Sequence, residues 1–148
     1  MATWSEFAEA APAMAALGAD RFQTAEVAYL GTVRRDGSPR VHPVTPIIGG
    51  GRLFLFMEAS SPKGHDLRRD DRYTLHSLVT DQDGGGGEFL VRGRASPADD
   101  PAVRAMAADA APYKVESAYI LFELSIEEAS SASYDDSGVA VRQRWRES

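Results

Sequence analysis

The chain has 148 residues, of which 43% are hydrophobic and 26% charged, and its formal net charge is −6. This composition is ordinary for a folded globular protein and too apolar for a disordered chain. The acidic balance argues against nucleic acids and anionic membranes as partners, and no apolar run approaches the roughly 18 to 20 residues that span a bilayer. There is no cysteine, and the N-terminus lacks the basic segment of a signal peptide. We therefore expect a single domain over residues 1–148, located in the cytoplasm.

The N-terminal segment predicts a helix over about residues 3–17. Its apolar residues recur at helical spacing, and Thr3 can cap the first turn. Pro12 is expected to break or kink this helix, and Gly18 is expected to end it.

The next segment predicts three antiparallel strands in a meander. "VAYLGTVRRDGSPRVHPVTPII" alternates apolar and polar residues around Asp36-Gly37, a strong hairpin signal. The glycines at 49–51 predict a second turn, before the apolar strand "RLFLFME". Pro43 and Pro46 cannot donate to a sheet ladder, so the second strand is expected at an edge.

The rest of the chain predicts further strands interrupted by two helices. "SPKGHDLRRD" predicts a helix from about residue 62, because Pro is favoured at the first helical position, and "PADDPAVRAMAADAAP" predicts another with an Asp cap. "RYTLHSLV" and "EFLVRGRAS" predict strands on either side of a flexible loop, "TDQDGGGG". "AYILFELSIEEASSASY" and "VAVRQRWRE" predict the last two strands. About seven strands with helices outside them indicate a mostly β fold, a small antiparallel barrel with flanking helices.

Most catalytic templates are missing from the sequence. There is no nucleophile elbow, Walker loop or dinucleotide fingerprint. The three histidines do not have metal-motif spacing, so no metal site is predicted. Paired aspartates fall at turns and caps, where Asp forms local hydrogen bonds.

The join between "FLFME" and the following helix is a candidate anion site. A helix start offers unpaired N–H groups and a partial positive charge. Ser60 and Ser61 add hydroxyl groups, and Lys63 adds a mobile charge; it is one of only two lysines in the chain. The alternative is a capped helix with a solvated charged face.

The strand "SPRVHPV" is a second candidate. Strand periodicity places Arg40, His42 and Val44 on one face, and Val41 and Pro43 on the other. Backbone groups near Pro43 could hydrogen-bond the polar edge of a planar ring. The alternative is an edge strand with a surface arginine and a partly buried histidine.

The order of these elements resembles the pyridoxamine 5'-phosphate oxidase-like family of split β-barrel flavoproteins. The similarity runs through roughly residues 25 to 97, and its most specific parts are "DGSPRV" and "SPKGHDLRRDDR". The resemblance implies an antiparallel split β-barrel of the FMN-binding type. It further implies a homodimer that binds FMN, or in some branches the deazaflavin coenzyme F-420, in a cleft between two protomers, and that acts on a small-molecule substrate.

Carried over residue by residue, the resemblance assigns Ser61 and Lys63 to the cofactor phosphate and Arg40 to the start of the cofactor-lining strand. With Ser60 from the helix start, the expected cofactor-binding residues are Arg40, Val41, His42, Pro43, Val44, Met57, Glu58, Ser60, Ser61 and Lys63. No side chain is given a catalytic role, because hydride transfer would take place at the cofactor ring.

Several departures from the family pattern count against oxidation of the vitamin itself and leave the fold unaffected. Pro62 replaces a phosphate-binding arginine, Thr45 replaces a lysine, and the C-terminal Arg-x-His element is missing. Trp145 is interpreted as either a packing residue or a stacking surface for a partner's ligand.

Three functions are therefore considered. FMN-dependent oxidation or reduction is the first. A deazaflavin-dependent reductase is the second, with Arg34, Arg35 and Arg69 as candidates for binding the polyglutamate tail of that cofactor. A non-catalytic module is the third, either a barrel that sequesters a flavin or another planar ligand or an interaction protein with an empty cleft.

Overall fold

A computed structural model describes residues 1–80, 82 and 86–148. The predicted loop "TDQDGGGG" lies partly outside the described residues, which omit positions 81 and 83–85. The described residues form four helices and nine strands. The helices are α1 (Trp4–Ala10), α2 (Pro12–Ala25), α3 (Pro62–Arg69) and α4 (Pro101–Ala110). The strands are β1 (Ala28–Val33), β2 (Pro39–Val44), β3 (Ile47–Gly49), β4 (Arg52–Glu58), β5 (Arg72–Ser77), β6 (Glu88–Pro97), β7 (Tyr119–Leu124), β8 (Glu128–Tyr134) and β9 (Ala140–Arg146).

All strand pairs are antiparallel, in the order β2-β1-β5-β6-β7-β4-β3, with β8 beside β6 and β9 beside β8. The long strand β6 joins the two halves of the sheet. Its first part pairs with β5 and β8, and its last three residues pair with β7. The sheet does not close on itself, so β2 and β3 remain edges. The prediction of a mostly β, antiparallel fold with flanking helices is confirmed.

The predicted N-terminal helix over about residues 3–17 is two helices. Thr3 caps α1 in a capping box with Glu6, and the chain breaks before Pro12, as predicted. The prediction that Gly18 ends the helix is wrong, because α2 continues to Ala25. Gly18 lies against the Phe89 ring, which a β-carbon at this position would overlap. This glycine permits close packing of the helix on the sheet.

The β1–β2 hairpin forms as predicted, with Gly37 in the left-handed region and Asp36 accepting a 2.9 Å hydrogen bond from the Ser38 N–H. The predicted three-stranded meander is wrong, because β4 pairs with β3 and β7 and not with β2. The chain leaves the first sheet half at Thr45-Pro46, where proline has no N–H for the ladder. A short extra strand, β3, follows.

The single strand predicted over "AYILFELSIEEASSASY" is two strands, β7 and β8. Both run along β6, but the chain crosses between the two sheet halves at residues 125–127. Gly93 allows this crossing, because a β-carbon there would collide with the Ser125 carbonyl.

Two apolar clusters fill the fold. The larger lies between α1, α2 and the sheet and contains an aromatic group made of Trp4, Phe7, Phe22, Phe89 and Trp145. Neighbouring ring centroids in this group lie 5.1 to 6.4 Å apart. The smaller cluster lies under α4 and contains Ile47, Phe54, Phe56, Ala107 and Leu121. In the described residues, no helix is long and apolar enough to cross a membrane.

Candidate functional site

The start of α3 is held by Ser61. Ser61 is the N-cap residue, its Oγ accepts a 3.2 Å hydrogen bond from the Gly64 N–H, and Pro62 occupies the first turn. Gly64 packs so closely that a β-carbon would lie 2.9 Å from Ser61 Oγ and 3.3 Å from Met57 Sδ. The helix start is therefore fixed directly against the end of β4.

A cleft of about 320 Å³ opens beside this helix start. Its lining comes from the end of β2, the end of β4, the first turn of α3 and the chain around β7. The lining residues are Pro43, Val44, Thr45, Phe56, Met57, Glu58, Lys63, Tyr113 and Tyr119. We call this space the α3 cleft.

The α3 cleft combines an apolar floor with two opposite charges. Burial lowers the pKa of the Lys63 ammonium, and the nearby Glu58 carboxylate acts in the opposite direction. His42 is exposed, but partial loss of solvent around its ring lowers its pKa, and the positive charges of Lys63 and Arg40 lower it further. A histidine with a pKa below the usual 6.5 is neutral at pH 7, so Lys63 supplies the cationic character of this region.

Arg40 forms an ion pair with the buried carboxylate of Asp66, a residue of α3. Its Nε donates a 2.7 Å hydrogen bond to Asp66, which also accepts bonds from Thr32 at 2.8 Å and Arg69 at 3.0 Å. Burial opposes ionisation of Asp66, but these donors outweigh it and its pKa lies below the ordinary value. This network, the Asp66 cluster, ties α3 to β1 and β2.

A second, larger recess of about 530 Å³ lies on the outer face of β2, β1, β5 and β6. Tyr29 and Val41 line it and are 41% and 69% exposed. Gly31 lies opposite Val41 on β1 and has no side chain to fill the space. We call this surface the outer groove.

The sequence and the fold are similar to those of known proteins. The chain matches the sequence profile described as pyridoxamine 5'-phosphate oxidase over residues 17–132. The protein belongs to the pyridoxamine 5'-phosphate oxidase family. A search of curated protein sequences gave no significant match.

Several solved structures share the fold. PhzG from Burkholderia lata, crystallised with tetrahydrophenazine-1-carboxylic acid, is 14% identical with a TM-score of 0.66, over 98% of this chain and 88% of that one. A protein from Clostridium acetobutylicum, related to general stress protein 26 and assigned to the pyridoxinephosphate oxidase family, is 13% identical with a TM-score of 0.64, over 87% and 91%.

A heme binding protein from Mycobacterium smegmatis also shares the fold. It is 20% identical with a TM-score of 0.65 over 86% of this chain. The matched region spans only 57% of the length of that protein. These likenesses confirm the predicted split β-barrel.

The structure brings five of the ten predicted cofactor-binding residues together in the α3 cleft. Those that line the α3 cleft are Pro43, Val44, Met57, Glu58 and Lys63. Ser61 is buried beside them as the α3 cap, whereas Ser60 is exposed in the turn before it. Exposed His42 lies between Pro43 and the outer groove residue Val41 on β2.

Arg40 and Val41 line the outer groove and not the cleft. The two arginines of "KGHDLRRD" contact the protein itself. Arg68 donates to the Ala59 carbonyl at 3.2 Å, and Arg69 donates to the Val33 carbonyl at 2.6 Å.

The sequence prediction missed Thr45, Phe56, Tyr113 and Tyr119. Tyr119 reaches the cleft because β7 pairs with β4, which places it opposite Glu58. Tyr113 reaches the cleft from the segment between α4 and β7. No local motif marks them. Trp145 contacts Phe7 at a ring-centroid distance of 5.1 Å, which agrees with its interpretation as a packing residue.

Proposed function

We propose that this protein is an oxidoreductase that binds FMN in the α3 cleft, at the interface of a homodimer. The observation that carries the proposal is the position of Lys63, which the fixed start of α3 places beside an apolar floor formed by β2 and β4. At this helix start Pro62 has no N–H and the Gly64 N–H already donates to Ser61, so the helix dipole and the Lys63 ammonium would attract an anion. A phosphate next to a planar apolar group is therefore the ligand chemistry that this arrangement suits.

The size of the cleft supports the proposal. Small-molecule pockets usually have volumes of about 300–1,000 Å³. The α3 cleft has about 320 Å³, and it combines the apolar residues Val44, Phe56 and Met57 with polar groups around them. A bound flavin would supply hydride transfer at its ring. The chain's own residues would hold the phosphate, orient the ring and exclude water.

The charge balance of the cleft supports a contribution to ligand binding from a second protomer. The charged residues of the cleft are Lys63 and Glu58, and their charges cancel. A phosphate monoester carries about −1.5 to −2 charges at pH 7, so its binding calls for further donors from outside this chain's cleft. Exposed apolar residues of the outer groove, Tyr29 and Val41, support self-association through that surface.

FMN is favoured over the deazaflavin F-420 because the arginines proposed to bind the polyglutamate tail of F-420 are either engaged elsewhere or distant from the α3 cleft. Arg69 is already bonded to Asp66 and to the Val33 carbonyl. Arg34 and Arg35 lie in the β1–β2 turn, at the opposite end of β2 from Pro43 and Val44.

The non-catalytic module is the second alternative. Pro62 takes the first helical position where a phosphate-binding arginine stands in the vitamin enzyme, which leaves Lys63 as the phosphate-binding cation of this segment. A site with this single cation could hold a flavin without an efficient reaction.

The test is an absorbance titration of the purified protein with FMN, F-420 and hemin, with light scattering to measure the mass of the loaded protein. We expect FMN to bind tightly to a species of two chains, and NAD(P)H or reduced deazaflavin to reduce it. Lys63→Ala should raise the dissociation constant for FMN about tenfold or more, which is about 1.4 kcal/mol. Arg142→Ala removes one positive charge from the exposed strand β9 and should leave binding unchanged.

Each other outcome has a separate meaning. Tighter binding of F-420 would identify a deazaflavin enzyme, and FMN uptake without reduction would identify the module. Binding of hemin in preference to both would reassign the ligand. Binding of FMN only at millimolar concentration, or equal losses in both variants, would overturn the phosphate site at Lys63.

A further inference from the structure

The segment between α4 and β7, residues 111–118, covers one side of the α3 cleft and has no helix or strand of its own. We call it the strap. It contributes Tyr113 to the cleft, and Tyr119 follows at the first position of β7. Burial raises the pKa of the Tyr113 hydroxyl, with a further contribution from Tyr119, so the phenol stays neutral at physiological pH.

The side chain of Arg104 bonds to the strap and to the start of β7. From α4 its guanidinium donates to the carbonyls of Tyr119 at 2.7 Å, Glu116 at 3.1 Å and Ser117 at 3.4 Å. The same group lies 5.2 Å from the centroid of the Phe56 ring, which itself lines the cleft. Arg104 therefore links the strap to the cleft floor through its planar fork of donors.

The helix that carries Arg104 is itself closely seated on the β3–β4 turn. A β-carbon at Gly50 would overlap the Met106 side chain, and one at Gly49 would lie 2.8 Å from Ala110 Cβ. Val115 of the strap packs against the smaller apolar cluster under α4. The base of the strap is fixed, while Tyr113 and Lys114 are exposed on it.

We propose that Tyr113 contacts the molecule bound in the α3 cleft and that Arg104 is the positioning residue that holds the strap over it. The inference rests on the proposed function for the identity of the ligand, a flavin nucleotide. An aromatic ring that is neutral and partly exposed can cover an apolar planar ligand at a low entropic cost, because it has two rotatable side-chain bonds. Arg104 contacts the cleft lining at the Phe56 ring and the Tyr119 carbonyl, and it contacts the strap at the carbonyls of Glu116 and Ser117.

The first experiment measures FMN affinity in tyrosine variants. Tyr113→Ala should weaken FMN binding about tenfold with an unchanged melting temperature, and Tyr113→Phe should retain most of the affinity. The matched control is Tyr134→Ala, since Tyr134 on β8 is 46% exposed and Tyr113 is 38% exposed. The control should bind FMN as the wild type does.

The second experiment uses limited trypsin digestion, with mass spectrometry of the Lys114-Val115 bond. FMN should protect this bond in the wild type, and Arg104→Lys should be cut there several times faster without ligand, because an ammonium cannot reach all three carbonyls. Cleavage after Arg35, in the exposed β1–β2 turn, serves as the internal reference and should not change.

The outcomes separate this inference from the proposed function. FMN binding by the wild type with no loss in Tyr113→Ala, or with no protection of Lys114, would overturn the inference and leave the proposed function standing. Equal cleavage of Arg104→Lys and the wild type would overturn the positioning role. Absence of FMN binding by the wild type would overturn the proposed function and, with it, the flavin contact of Tyr113.

Discussion

The aromatic cluster under α1 and α2 and the α3 cleft use the same kinds of residue in opposite ways. In the aromatic cluster, Phe7 and Phe89 are fully buried and are surrounded by other rings. In the cleft, Phe56 and Met57 are also largely buried, but each lines an open space that is bordered by charged and hydroxyl groups. Burial of apolar surface stabilises the aromatic cluster. Polar groups beside the apolar floor of the cleft add no such stability unless they have hydrogen-bonding partners.

This difference indicates that the aromatic cluster mainly stabilises the fold, whereas the α3 cleft is suited to ligand binding. Helices α1 and α2 close over their half of the sheet, with Gly18 in direct contact with Phe89. Helix α3 has three buried residues in eight and presents its first turn to the cleft. Changes in the aromatic cluster should therefore alter the free energy of unfolding, and changes in the cleft should alter ligand binding.

The largest effect is expected from Phe89→Ala. This substitution empties the centre of the aromatic cluster, and removal of a buried phenylalanine ring typically costs about 3–5 kcal/mol of unfolding free energy. Chemical denaturation measures it, and FMN affinity of the remaining folded protein should be unchanged. Val139→Ala, at a position 59% exposed, is the control and should cost less than about 0.5 kcal/mol. A cost below about 1 kcal/mol for Phe89→Ala would show that the cluster does not dominate stability.

A smaller loss of unfolding free energy is expected from Asp66→Asn, which tests how α3 is held to β1 and β2. Asparagine keeps the shape but leaves Arg40 and Arg69 without their common counter-charge. Both arginine side chains are 27% to 32% exposed, so solvent reduces the usual cost of breaking a buried pair to about 1–3 kcal/mol. The measurement is again chemical denaturation. Asp20→Asn, in a surface pair with Arg21, is the matched control; an equal loss in both would contradict a special role of the Asp66 cluster.

Much of the fold could be predicted from local signals. Asp36-Gly37 identifies the β1–β2 hairpin because few residue pairs adopt the required turn. Ser61-Pro62 identifies the start of α3 because the cap and the first helical position have distinct preferences. Both features depend on neighbouring residues, so the sequence is sufficient to predict them.

The errors occur where distant contacts determine the local structure. Gly18 looks like a helix terminator, but it remains helical because Phe89, 71 positions away, packs on its backbone. The break between β7 and β8 has no Gly or Pro at residues 125–127 and results from the crossing between the sheet halves. Tyr113 could not be assigned to the cleft without the pairing of β4 with β7.

The smallest effect at neutral pH is expected from a charge cluster outside both regions. Glu128 on β8 contacts Arg92, Arg144 and Arg146 at 2.6, 2.6 and 3.3 Å. Hydrogen bonding by Arg92, followed by that of Arg144, lowers the pKa of Glu128 from 4.5 to about 2 despite the opposing effect of burial. Because the unfolded chain binds the proton more readily, this group stabilises the fold above about pH 4.5. That stabilisation is lost as the pH falls towards 2.

Glu128→Gln should flatten this part of the acid unfolding profile and change stability at pH 7 only slightly, because the three arginine side chains are 55% to 63% exposed. Glu9→Gln, at an exposed position on α1, should keep the wild-type profile. FMN affinity at pH 7 should be the same in both variants, since Glu128 lines neither the cleft nor the strap. A change in FMN affinity specific to Glu128→Gln would instead connect β8 to the site, and the separation of stability from binding would then not extend to this half of the sheet.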